Sequence, residues 1–267
     1  MRQLQISLCV LLYGDFPQLS HRCLSSIWDR LEFHDGRVRD IRLGLNAISP
    51  ESRKVAQWFA AHAAKHYQIP VITYDSRQNA CKYPLMRRML LNDSQQPAAW
   101  VMWFDDDSYL DGAEDWWSRL DDVASRCDMV GKVYSMPLRG KQWQWIQQQE
   151  WFNPAVGTPP IRRGKPVFLF ATGGWWLVRY SVFSRWNWPT PQLKHCGGDS
   201  MLGELLRHQG LKLQDFDIGV RINADDRGRH SKAAPRGESK KRELLGLDGR
   251  HRDKDSSLLE VDRVEWI

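Results

Sequence analysis

Three consecutive aspartates, Asp105, Asp106 and Asp107, stand directly behind the apolar run AAWVMWF in the stretch VMWFDDDSYL. Like charges held together disfavour ionisation unless a cation joins them. In an extended segment alternate side chains share a face, so Asp105 and Asp107 point one way and Asp106 the other. Two convergent carboxylates are hard oxygen ligands of the kind that take Mg²⁺ or Mn²⁺. Such an ion keeps waters and draws its remaining ligands from substrate phosphates. The chemistry predicted here is a divalent cation together with a diphosphate. The plainer reading is an acidic turn after a strand.

A second constellation is KHCGGDSMLGELLRHQG, in which Asp199 follows two glycines and opens a helix. Asp is a favoured N-cap. Gly197 and Gly198 let backbone approach a ligand closely, and a carboxylate placed there can serve as a general base. Cap and base are compatible roles. Upstream, FATGGWWLVRY repeats paired glycines beside large groups. Gly174, Trp175 and Trp176 there either wall an acceptor pocket or belong to the core.

These groups need a scaffold, and the first half of the chain supplies a pattern for one. Strand-like QISLCVLLY, DIRLGLN, IPVITYD and AAWVMWF alternate with helix-like FPQLSHRCLSSIWDRL, SPESRKVAQWFAAHAAKHY and YPLMRRMLLND. Ser49 and Pro50 give the second helix a cap and a first-turn proline. Alternating strands and helices predict right-handed crossovers and a mostly parallel sheet, an α/β Rossmann-like fold with helices on both faces. Ligands bind outside the carboxyl ends of such strands, where Asp105–Asp107 fall. Beyond Asp107 the alternation blurs: residues 112–125 read as helix, DMVGKVYSMP as extended, KQWQWIQQQEWF as aromatic and amide-rich, and DSMLGELLRHQG as a helix stopped by Gly210.

Composition sets outer bounds. The 267 residues are 42% hydrophobic and 26% charged, enough for a real core. No apolar run reaches membrane-span length. The run Ile6–Leu12 imitates a signal peptide but lacks a strong basic flank and a cleavage site, and reads as a first strand. Five scattered cysteines without CxxC spacing fit reduced thiols in a cytoplasm. The net charge of +6 favours an anionic partner. Much of it lies in RGRHSKAAPRGESKKRELLGLDGRHR, residues 227–252, too polar to bury much surface and expected as a basic arm or lid spanning 226–267.

A haloacid-dehalogenase-like phosphatase shares the strand-then-acid pattern, with an Asp nucleophile in a DxDx[TV] setting. Tyr109 departs from that motif, and the acids do not follow the first strand. The ordered set FDDDSYL, TGGWWLVR and GGDSMLGELLR instead resembles the GT-A nucleotide-sugar glycosyltransferases, family 2-like, over roughly residues 5–225. The resemblance implies a GT-A domain over 1–225, a DXD metal motif at Asp105 and Asp107, and a catalytic base at Asp199. Gly198 stands where many members carry a further acid. Donor contacts are implied for Tyr13, Asn46 and Asp75 at the strand ends, for Lys82 and Arg87 (or Arg88), and for Asp105 and Asp106. Acceptor contacts are implied for Gly174, Trp175 and Trp176, and His230 in the arm is a further expected metal ligand. The implied donor is a nucleotide sugar, a UDP-sugar first, with Mn²⁺ or Mg²⁺, and direct displacement with one base implies inversion.

More narrowly, KYPLMRRM, GGDSMLGE and INADDRG resemble phage and bacterial members linked to glycosylation of hydroxymethylated pyrimidines in DNA, the group related to base J synthesis. That implies DNA as the acceptor and a cytoplasmic location, the host's if the protein is phage-encoded. The basic arm and the fourteen tryptophans, several in QWQWIQQQEW, suit stacking of flipped bases. The same ring faces suit a glycan acceptor. A non-enzymatic nucleic-acid binder is the reading from another class, and it leaves the acids idle.

Overall fold

In a computed structural model of the chain, residues 3–92, 94–112, 115–194, 197–222 and 262–264 are described. The first half runs β1 (Ile6–Tyr13), α1 (Pro17–Arg30), β2 (Val38–Asn46), α2 (Pro50–Tyr67), β3 (Val71–Ser76), α3 (Lys82–Leu90) and β4 (Trp100–Asp105). There follow β5 (Tyr109–Leu110), α4 (Trp116–Ala124), β6 (Met129–Pro137), α5 (Gly140–Ile146), β7 (Ile161–Arg162), β8 (Lys165–Arg179), α6 (Tyr180–Trp186) and α7 (Gly198–His208). Three short strands complete the set: β9 (Leu213–Asp215), β10 (Val220–Arg221) and β11 (Asp262–Val264).

The main sheet has the order β11-β3-β2-β1-β4-β8-β6-β9, with β7 on β8. β3, β2, β1 and β4 are mutually parallel, β8 runs antiparallel between β4 and β6, and β9 is parallel to β6. The predicted mostly parallel α/β sheet is therefore present. The strand order reverses at β1, whose neighbours are β2 and β4. Such a reversal opens a crevice at the carboxyl ends of the strands.

Helices cover both faces. Ile6, Leu8, Val10 and Leu12 of β1 pack with side chains of α1, α2 and α4 in one core. Cys9 and Leu11 join α3, α6 and α7 in the other. A strand buried on both sides is largely apolar, and β1 is so apart from Ser7. Ser49 caps α2 by accepting from the Ser52 amide at 3.2 Å, with Pro50 in the first turn. The short β10–β5 pair brings the chain back beside the acidic turn, where Arg221 contacts Asp111 at 2.6 Å.

Candidate active site

At the carboxyl end of β4 the three aspartates separate into different jobs. Asp106 is fully buried and accepts the Tyr13 backbone amide at 2.8 Å, tying β4 to the end of β1. Its carboxylate serves the scaffold here. Asp105 accepts the Trp103 indole N–H at 2.8 Å on one oxygen and the Lys82 ammonium at 2.8 Å on the other. Trp103 and Asp105 lie two apart on one strand and so share a face. For Asp107, burial and then the charge of Asp105 push the carboxyl up to about 7, against the pull of Lys82 and Arg22. Arg22 reaches this corner from α1 and stacks 4.4 Å from the centre of the Tyr109 ring.

Lys82 opens α3, where its charge opposes the helix dipole. Its side chain turns back to the carboxylates and also donates to the Gly173 carbonyl at 2.7 Å. The backbone just before it is strained: Cys81 has φ 63 and ψ 169, a region almost reserved for glycine. Side-chain hydrogen bonds hold it there. Asn79 accepts the Cys81 amide at 2.9 Å and Asn46 accepts the Ala80 amide at 2.8 Å. Asn79 also bridges Asn46 and the Tyr13 hydroxyl, each at 3.2 Å. Tyr13 and Asn46 thus belong to a network along the strand ends that aims Lys82 at the acids.

Asp199 stands in the first turn of α7, two residues after the Gly197 N-cap, so it is not itself the cap. It accepts the Tyr83 hydroxyl at 2.8 Å. Burial raises its pKa, with Asp105 adding to the rise. Lys82, the Tyr83 hydroxyl and the Gly173 amide hold it down. A Cβ on Gly173 would lie 2.7 Å and 2.8 Å from the Asp199 oxygens and 2.8 Å from the Lys82 nitrogen. One on Gly198 would lie 2.1 Å from the Tyr83 ring. The paired glycines therefore let protein groups close on each other around Asp199, a different use from the expected approach of backbone to ligand.

Asp105, Asp107, Asp199 and Lys82 are brought together, with Tyr13 and Asn46 alongside. Other expected residues go elsewhere. Asp75 gives both oxygens to Arg53, at 2.7 Å and 2.9 Å. Arg87 donates to the Pro189 carbonyl at 2.7 Å and Arg88 to the Asn92 carbonyl at 2.8 Å, so both anchor backbone. Trp175 and Trp176 are 0% and 2% exposed and offer no ring face to an acceptor. Trp175 packs near Phe104, Trp116 and Phe216, while Trp176 stacks on Trp103. Gly174 is buried beside them in β8. His230 and the basic run lie outside the described residues. Tyr83, Gly173, Trp103, Arg22 and Cys81 are site residues that sequence reasoning missed. The Trp-x-Asp spacing in one strand was a usable signal for Trp103.

The residues present fit a divalent cation. Three carboxylates share one ammonium, and Asp107 stays difficult to ionise until further positive charge arrives. Among the described residues no group of three or more metal-ligating side chains is arranged around one point. The protein thus offers two hard oxygen donors, and a bound diphosphate and water would complete the shell, the usual construction for Mg²⁺ and Mn²⁺.

No family model and no curated protein matches the chain. Solved structures do match, among them the mannosyltransferase PcManGT from Pyrobaculum calidifontis in complex with GDP-Man and Mn²⁺. The TM-score is 0.57 at 12% identity, and the match covers 86% of this chain. The chain spans 60% of the length of that protein. The likeness is one of fold, and it agrees with the GT-A fold expected from the motifs.

Proposed function

We propose that this chain is a divalent-metal-dependent glycosyltransferase that moves a sugar from a nucleotide-sugar donor to a hydroxyl acceptor. The observation that carries this reading is the convergence of Asp105, Asp107 and Asp199 on Lys82 at the sheet's switch point. The fold adds support, since it is shared with a protein solved with a nucleotide sugar and Mn²⁺. Asp105 and Asp107 would hold the metal, which supplies Lewis-acid neutralisation of the leaving diphosphate.

Asp199 accepts the proton of the acceptor hydroxyl as its oxygen attacks the anomeric carbon. The bond from that carbon to the phosphate oxygen breaks, and its electron pair leaves with the nucleoside diphosphate. One displacement at one base gives inversion. Lys82 opposes the burial that raises the Asp199 pKa and balances Asp105 before the donor arrives. Tyr83 fixes the direction of the Asp199 carboxylate. His230 is a candidate further metal ligand in the sequence that follows β10.

The acceptor is the finer question. A hydroxymethylated pyrimidine in DNA draws its support from the net charge of +6 and the basic run at 227–252. A glycan draws its support from the aromatic and amide-rich segment around α5. Among the described residues no helix is long and apolar enough to cross a membrane. Cys9, Cys23, Cys81 and Cys127 are buried and outside any disulfide, which suits the cytoplasmic location proposed from the sequence.

The test is incubation with a panel of nucleotide sugars, UDP-glucose and GDP-mannose included, with and without Mn²⁺. Acceptors are hydroxymethylated DNA, plain DNA and neutral oligosaccharides, and products are read by mass spectrometry. The expected result is sugar transfer that needs the metal. Absence of both transfer and donor hydrolysis across the panel contradicts the reading.

A further inference from the structure

Away from the acids, a cleft of about 420 Å³ opens between the 145–151 segment and the 186–192 loop. That volume suits a small-molecule site. Its lining combines Trp145, Trp151 and Trp186 with three glutamines, Asn187 and Thr190. Trp145 and Trp151 are 5% and 3% exposed and form the floor, while Trp186 is half-buried at the side. The Trp151 indole N–H and the Thr190 hydroxyl are buried without a hydrogen-bond partner among the described residues. Buried polar groups are normally satisfied, and these two belong to residues that line the cleft.

Both walls are fixed in advance. Gln209 donates to the Trp151 carbonyl at 2.6 Å, and Gln149 to the Trp145 carbonyl at 3.0 Å. Across the cleft, Arg87 holds the Pro189 carbonyl at 2.7 Å, and Trp188 is buried and stacked on Phe183. A site whose walls are already ordered loses less entropy on binding.

The lining chemistry selects the ligand. Among the described residues Glu150 is the one charged member of the lining, and no lysine or arginine lines it. Arg185 stacks on the Trp186 ring at 4.8 Å but is not part of the lining. Nucleic-acid sites combine aromatic faces with a basic groove, and the described lining has no such basic element. A neutral sugar chain matches instead: each pyranose has an apolar C–H face for an indole and a rim of hydroxyls for amides. Gln209, which holds the Trp151 wall, lies ten residues after Asp199 along and just past α7. At 1.5 Å per residue Gln209 stands roughly 15 Å along the helix from the candidate base, a separation on the scale of a short oligosaccharide.

We propose that this cleft is a saccharide-binding subsite that holds an acceptor glycan away from its reacting end. The assignment of an acceptor rests on the glycosyltransferase reading, whereas binding of a sugar chain can be measured without it. The full chain, free of metal and donor, is titrated with mannotetraose, cellotetraose and maltotetraose by saturation-transfer NMR and tryptophan fluorescence. An oligonucleotide of eight thymidines is the competitor.

At least one tetrasaccharide should bind, and the oligonucleotide should not displace it. Trp186→Ala should weaken binding about tenfold, the loss expected for a central aromatic contact. Gln192→Ala, an exposed change that leaves the core alone, should weaken it less. Nucleotide-sugar binding with Mn²⁺ should be unchanged in both variants. The subsite is overturned if no tetrasaccharide binds, if both variants bind as the wild type does, or if the oligonucleotide displaces the sugar. Those failures alongside intact metal-dependent donor binding would leave the transferase reading standing.

Discussion

At the amino-terminal end of the sheet, Arg42 and Asp40 form an ion pair inside the core. At the carboxyl end, Lys82 and Asp105 form another. The first is closed. Arg42 donates to Asp40 at 2.8 Å, to the Gln95 carbonyl at 2.7 Å and to the Met89 carbonyl. The second Asp40 oxygen accepts the Ser7 hydroxyl at 2.7 Å, and Ser7 in turn accepts the Ala98 amide at 2.7 Å. One acid meets one base, and the remaining donors are spent on backbone. The second pair is over-supplied with acid, since Asp107 and Asp199 crowd the same ammonium and both have raised pKa values. A closed pair fixes a loop, and a surplus of carboxylate invites a cation.

The largest effect should come from the surplus. Asp105→Ala or Asp107→Ala should lower transfer by about 10³-fold or more, the several kcal/mol that a bound metal supplies to the transition state. The melting temperature of Asp107→Ala should stay close to that of the wild type, whereas Asp105→Ala also strips Lys82 of its ion-pair partner and should melt lower. Transfer at the normal rate by either variant in excess chelator would remove the contrast between the two ends.

Asp199→Asn should lower kcat by about 10²- to 10⁴-fold, the range for a lost general base. Its stability effect has a definite sign. Burial raises the folded pKa of Asp199, so its contribution to stability is present below the ordinary aspartate value and fades as pH rises through the raised one. Replacement by the neutral amide should therefore be neutral or stabilising at pH 7 relative to pH 3, read by melting curves at both. A destabilised variant with normal kcat would make Asp199 structural.

At the closed pair the expected result is reversed. Arg42→Met leaves Asp40 buried and unpaired and should cost about 3–5 kcal/mol of stability, while activity per folded molecule is kept. Denaturant titration beside active-site-normalised rates checks this.

The smallest effect should be that of Tyr83→Phe, which removes one hydrogen bond of about 1 kcal/mol. The hydroxyl holds the Asp199 pKa down, so the acid limb of the kcat/KM profile should move to higher pH. An unmoved limb would separate Tyr83 from the base.

The scaffold was legible because its signals are local. Parallel strands buried on both faces are mostly apolar, and Ser49 with Pro50 announces the start of α2. The acids were legible for the same reason: a strand end and a period-two spacing locate Asp105 and Asp107. What the sequence hid was pairing across distance. Nothing near Asp106 shows that it binds the Tyr13 amide, nor that Asp75 is taken by Arg53. Trp175 and Trp176 look alike in a pattern that suits core or pocket, and only their place in a central strand, one on each face, shows them filling both cores. Nothing near Arg87, expected at the donor, shows that it binds the 187–189 loop. Lys82 gave no local signal either, because a strained Cys81 backbone and an asparagine network aim it.

The central claim is that the carboxylate-rich end binds a nucleotide sugar through a divalent cation. Isothermal titration of UDP-glucose and GDP-mannose into the protein, with Mn²⁺ and with chelator, tests it most directly. At least one donor should bind with Mn²⁺, lose that binding in chelator, and lose it equally in Asp107→Ala. Binding that ignores both the metal and the substitution, or no binding of either donor with Mn²⁺ present, would contradict the account.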